Sequence, residues 1–178
     1  MKNIGKIILS FALTYFTIKI FTMKPYPWIV LDNINLGVHE FGHLFFGIFG
    51  SRLLTVWGGT LMQMIVPLVF LAYFAARKDT LGGLFCLWWV GHNLINISVY
   101  LADATCLCMP LLGGDSSGHD WLFLLSHYGK LSNSANIAKV VKSFGQFFML
   151  SGLFAIFGTV VKEFFSNYEI SINNGKKG

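Results

Sequence analysis

Apolar residues along the chain fall into five long runs separated by short polar breaks. The first spans Ile4 to Phe21, with Lys2 and Lys6 ahead of it and Lys19 and Lys24 at its end. The second, Trp28 to Leu54, is interrupted by Asp32, Asn33, Asn35, His39, Glu40 and His43. The third, Gly59 to Ala76, is clean apart from Thr60, Gln63 and Pro67, and stops at Arg77-Lys78-Asp79. The fourth, Thr80 to Ala104, contains His92, Asn93, Asn96 and Asp103. A polar segment, Gly113 to Asp120, leads into a shorter amphipathic stretch from Trp121 to Leu131. After the helix-capping residues of Ser132 to Asn136, the last run covers Ala138 to Val161, and the tail Asn173 to Gly178 is expected to fray.

Each long run is near the ~20 residues a helix needs to cross a hydrocarbon core. None alternates with a period of two, and in lipid only helices or closed barrels satisfy the backbone. The pattern predicts an all-α fold, a polytopic membrane helical bundle of about five transmembrane helices plus one short interfacial helix. No internal repeat divides it, so residues 1–178 read as a single integral membrane domain. The first run is followed by Thr22-Met23-Lys24-Pro25-Tyr26-Pro27, which lacks a small-x-small cleavage site, so it reads as an uncleaved span rather than a signal peptide.

Composition sharpens this picture. Hydrophobic residues make up 54% of the chain and charged residues 12%, about half the charged fraction of a soluble domain. Intrinsic disorder, a disulfide scaffold and an ordinary soluble domain are excluded. The net charge of +5 comes from bases placed singly or in pairs between apolar runs. That is the placement of headgroup-level loop charges, whereas a nucleic-acid binder clusters them on one face. The expected surroundings are the lipid bilayer, with no nucleic-acid partner. Five passes divide the bases 6 on the Arg52 side and 7 on the Arg77 side, 13 in all, which leaves orientation open. Cys86 reads as packing, and the Cys106-x-Cys108 pair is a weak soft-metal signal.

The chemistry concentrates in His39-Glu40-Phe41-Gly42-His43, an H-E-x-x-H pattern. On a helix, positions i and i+4 share a face, so two imidazoles can reach one zinc ion while the Glu acts as general base. Ionisable residues within a membrane helix are expensive and point to function. Asp32, Asn35, His39 and His43 form a stripe on the second run, Thr60, Gln63 and Pro67 on the third, and His92, Asn96 and Asp103 on the fourth. The stripes should face one another around a polar cavity, with Gly42, Gly47, Gly58 and Gly59 permitting close helix approach. A catalytic zinc takes three protein ligands and an open position. The third ligand is open between His119, a nitrogen donor, and Asp103, a carboxylate at a helix end on the same side. Asp120 beside His119 could orient an imidazole or cap the following helix. Tyr100, one turn before Asp103, is a possible oxyanion donor. The metal-site core thus covers about residues 28–121.

These residues resemble the site-2 protease family of membrane-embedded zinc metalloproteases, in particular its small bacterial relatives. The likeness rests on His39-Glu40-Phe41-Gly42-His43 in a membrane helix, then Gly58-Gly59, the Gln63/Pro67 helix and a later helix with an acidic residue, over roughly residues 28–104. It implies zinc on His39 and His43, Glu40 as general base and an aspartate ligand, for which Asp103 is the match. The family's later motif has Asp followed by Gly, whereas Asp103 stands between Ala102 and Ala104. The expected function is a zinc-dependent hydrolase of the membrane, preferably a metallopeptidase acting on a membrane protein or peptide, located in the bacterial inner (cell) membrane. The alternatives are a zinc-dependent lipid amide or ester hydrolase and a non-catalytic pseudoenzyme or assembly factor.

Overall fold

The computed structural model describes residues 2–110 and 118–175, with side chains over 4–110 and 118–166. Gly113 to Ser117 of the polar segment and the last three residues of the tail lie outside the described residues. Six α-helices occur in order: α1 (Lys2–Thr22), α2 (Val30–Gly47), α3 (Arg52–Ala76), α4 (Thr80–Asp103), α5 (Asp120–His127) and α6 (Ser134–Gly175), with a short 3-10 turn at Leu131–Asn133. There is no strand among the described residues. The expected all-helical architecture is observed.

Four helices, α1, α3, α4 and α6, are long and apolar enough to cross a membrane. The expected five become four on this measure. The helix that drops out is α2, whose 18 residues carry the densest polar set in the chain. The last helix continues through the tail expected to fray as far as Gly175.

The bundle is built around α4, which packs against α6 on one side and α3 on the other; α2 lies along α3, and α1 along α6. One apolar core joins Leu13 and Ile20 of α1 to Trp88, Trp89 and Ile95 of α4 and Met149, Leu153 and Ile156 of α6. A second joins Ile97 and Leu101 of α4 to Trp121, Leu124 and Leu125 of α5 and Ala138 of α6. Large apolar side chains also face outward, such as Phe11, Leu44, Phe147 and Phe154, while Asp32, Asn35, His92 and Asn93 are buried. A water-soluble protein would reverse that distribution.

Small residues set the helix spacing, as they do where lipid supplies no hydrophobic drive between helices. At Gly91 a Cβ would come within 2.4 Å of the Met149 backbone nitrogen, and at Gly145 within 2.8 Å of the Gly91 carbonyl oxygen. Backbones of α4 and α6 therefore touch. At Gly42 a Cβ would meet the Gly58 carbonyl oxygen at 2.2 Å, so α2 and α3 touch likewise.

Pro67 ties α3 to α4. A proline inside a helix has no N–H for the carbonyl four residues earlier, here that of Gln63. Asn93 of α4 donates its side-chain N–H to that oxygen at 2.6 Å. The same turn of α3 thus anchors α4 by its backbone and presents the Gln63 side chain to α2.

Candidate metal centre

The second half of α2, the first half of α3, the end of α4 and the start of α5 meet at one end of the bundle. Ring contacts clamp α5 there: Trp121 packs edge-on against Trp57, with centroids 5.5 Å apart, and the Arg52 guanidinium sits 4.7 Å over Phe123.

His39 and His43 lie one turn apart with ring centroids separated by 4.8 Å. Asp120, the first residue of α5, completes the group. Its Oδ2 is 2.8 Å from His39 Nε2 and 3.2 Å from His43 Nε2. One ligand atom from each residue lies within 4.8 Å of the other two. Burial drives the Asp120 carboxyl upward, but its bonds to the two imidazoles outweigh that and hold it below the ordinary carboxylate range.

The far ring nitrogens fix the tautomers. His43 Nδ1 donates to the backbone carbonyl of Thr55 at 2.9 Å. His39 Nδ1 donates to Gln63 Oε1 at 3.3 Å. A carbonyl oxygen only accepts, so each ring keeps a proton on Nδ1, and Nε2 can meet the Asp120 oxygen only across a further proton or a metal ion. With those further protons removed, both Nε2 lone pairs face a carboxylate oxygen. Three Lewis bases this close repel one another unless a proton or a metal cation sits among them. Two imidazoles and a carboxylate with outer hydrogen-bond partners are a common zinc donor set. Bonds of about 2.0–2.1 Å at tetrahedral angles place donors about 3.3 Å apart, so the two nitrogen–oxygen separations of 2.8 and 3.2 Å need to open by no more than about half an ångström. The residues fit the ion.

Gly59 is what lets His39 occupy this position. A Cβ there would lie 2.5 Å from His39 Nε2. One residue on, Thr60 Oγ1 is buried without a hydrogen-bond partner among the described residues. The site opens at His43, whose side chain is 22% exposed against 10% for His39. Glu40 is also exposed and has no hydrogen bond or ion pair among the described residues.

The two residues between which the third ligand was left open sit elsewhere, paired with each other. His119 caps α5, its Nδ1 accepting the Leu122 N–H at 3.2 Å. Its Nε2 lies 3.3 Å from Asp103 Oδ2, out of hydrogen-bond alignment. The Asp103 carboxylate accepts the backbone N–H groups of Cys108 and Met109, at 3.0 and 3.2 Å. It closes the turn after α4, where Cys106 and Cys108 are joined as a disulfide. His119 turns back over the first turn of α5 as its cap, while the adjacent Asp120 reaches α2. Tyr100 accepts the Asp120 N–H at 3.0 Å and thereby seats α5. The sequence pattern offered Asp120 only as an orienting or capping group; its position beside a histidine at a helix start was the available signal. His92 belongs to a separate buried cluster with Asp32, and His127 is exposed.

A cavity of about 330 Å³ borders His119, Leu122, Phe123, Ser126 and His127, and an apolar one of about 520 Å³ lies between α1, α3 and α4. No family model, curated protein or solved structure matches the chain.

Proposed function

We propose that the protein is a membrane-embedded zinc-dependent hydrolase of the kind the site-2 protease resemblance implies, with α2 serving as a fifth membrane helix. Its substrates are membrane proteins or peptides cut near or within the bilayer. The observation that carries this reading is the convergence of two imidazole lone pairs and a carboxylate oxygen, each imidazole held in one tautomer by a carbonyl behind it.

In this reading His39, His43 and Asp120 hold the ion. Zinc supplies Lewis acidity, lowering the pKa of a coordinated water to about 7 and polarising a carbonyl. Glu40, adjacent to His39 and without a hydrogen bond or ion pair among the described residues, would take the proton from the attacking water as its oxygen bonds the carbonyl carbon, and would pass that proton to the amine as the carbon–nitrogen bond breaks. Burial of His39 and Asp120 keeps bulk water from the ion's inner side, and the exposed His43 edge admits the substrate.

The test is elemental analysis of the purified full chain. One zinc per chain is expected, lost in a His39→Ala/His43→Ala variant. Glu40→Gln should keep the zinc and lose cleavage across a peptide panel, with a lipid amide and ester panel run beside it. A wild-type chain that takes up no zinc would overturn the proposal. Zinc without turnover on either panel would leave a non-catalytic metal site.

A further inference from the structure

Behind His39 a file of amide side chains runs through the bundle to a buried carboxylate. His39 Nδ1 donates to Gln63 Oε1 at 3.3 Å, Gln63 Nε2 to Asn96 Oδ1 at 3.0 Å, and Asn96 Nδ2 to Asp32 Oδ1 at 3.0 Å. A second file reaches the same carboxylate from the other side. Trp89 Nε1 donates to Asn35 Oδ1 at 2.8 Å, and Asn35 Nδ2 approaches His92 Nδ1 at 3.3 Å. His92 Nε2 in turn lies 3.1 Å from the Tyr26 hydroxyl, which donates to Asp32 Oδ1 at 3.1 Å. Asp32 Oδ2 takes the Ile29 backbone N–H at 2.8 Å. Asp32 is 1% exposed, and Gln63 4%.

The direction of these bonds is dictated by their ends. A carboxylate can only accept and an indole N–H can only donate. Asn96 must therefore turn its amino group to Asp32 and its oxygen to Gln63. Gln63 must answer with its own amino group, which leaves its oxygen for His39. An oxygen there obliges His39 to hold a proton on Nδ1, so that Nε2, facing Asp120 at 2.8 Å, is the nitrogen that can exchange its proton for a metal ion. An Asn or Gln by itself tolerates either orientation, and only the carboxylate removes the choice.

We propose that Asp32 is a positioning residue for the metal centre: acting through Asn96 and Gln63, it selects the His39 tautomer that binds a cation. This rests on the zinc reading for its consequence and on the hydrogen-bond geometry alone for the tautomer. Outer partners of metal-binding histidines typically change affinity by about 10–100-fold, and Asp32 exerts such an effect from three side chains away.

The experiment uses the full chain with selectively ¹⁵N-labelled histidine and zinc as the metal. In the metal-free wild type, at a pH where the proton shared with Asp120 has been removed, His39 is expected to show the Nδ1–H tautomer, and in Asp32→Asn a mixture of both. Zinc affinity by chelator competition should fall about 10–100-fold in Asp32→Asn. In a Gln63→Glu background the file is cut, because Glu accepts from His39 yet cannot donate to Asn96; there Asp32→Asn should leave affinity unchanged. Asn96→Ala breaks the same link and should reproduce the weakening if Asp32→Asn does not yield folded protein. An unaltered His39 tautomer in Asp32→Asn, or equal weakening in both backgrounds, would overturn the proposal. A wild type that binds no zinc defeats the hydrolase reading, whereas the nitrogen spectra still decide this one.

Discussion

Replacing Gly59 by Ala adds a single methyl group and should abolish binding at the proposed metal centre. The new Cβ would stand 2.5 Å from His39 Nε2 and 2.7 Å from both Cδ2 and Cε1. Carbon contacts settle near 3.5 Å, so the ring has to retreat by about 1 Å. Metal–ligand distances hold to within about 0.2 Å, and the required retreat is roughly five times that. The bond from Nδ1 to Gln63, already 3.3 Å, leaves no slack in the opposite direction. Loss of zinc affinity should exceed about 100-fold, or about 2.7 kcal/mol. Helix propensity works the other way: Ala is favoured over Gly by about 1 kcal/mol, so the fold should survive. Gly37→Ala, on α2 beside His39 with nothing within 4 Å, is the control and should bind zinc as the wild type does. Chelator competition on both variants, with a thermal melt alongside, separates metal loss from unfolding. A folded Gly59→Ala chain with zinc affinity within about threefold of wild type would refute the placement of His39.

Other outcomes follow from the same geometry. Asp120→Ala should abolish zinc uptake, whereas Asp103→Ala should keep the metal and lose about 1–3 kcal/mol of stability by orphaning two backbone N–H groups; zinc analysis and melting of both variants decide between them. Gly91→Ala drives a Cβ into the Met149 backbone at 2.4 Å and should cost at least about 1–3 kcal/mol, seen as a lowered melting temperature, while Gly158→Ala, in open space, should not. Zinc uptake should release about one proton per chain near pH 7, because the metal-free cluster needs a proton among its three bases; calorimetry in buffers of different ionisation enthalpy would read it, and no release would contradict the tautomers assigned. Asp120 contributes the opposite sign on acidification. Its carboxyl is held below its ordinary value, so its stabilisation is complete above the ordinary carboxylate range and is lost only as pH falls through the lowered one. Melting of the metal-free chain across the acid range should show this contribution lost only below the ordinary carboxylate range, and a loss that begins above it would refute the pairing.

Much of this protein could be read from residue order alone. Run length and apolarity specify helices because lipid allows a spanning backbone few other choices, and the boundaries of α1 and α4 follow the polar breaks closely, whereas α3 begins at Arg52, capped by Ser51, seven residues before the expected Gly59. The i, i+4 spacing of His39 and His43 places both rings on one face through local helix geometry, with no tertiary information required. Whether α2 spans was not legible, because the polar residues gathered at its end of the bundle also remove its apolar signature. The third group at the imidazoles was beyond reach, because it depends on which of two adjacent side chains at the start of α5 turns inward. His119 is spent on the helix cap and Asp120 reaches α2, a choice made by the seating of α5 against Tyr100, Trp57 and Leu101. The direction of the amide file was equally hidden, since Gln63 and Asn96 read as plain interhelical bonding until Asp32 is found at its end. Local periodicity fixes which face a side chain occupies; only packing between distant helices decides which partner it meets there.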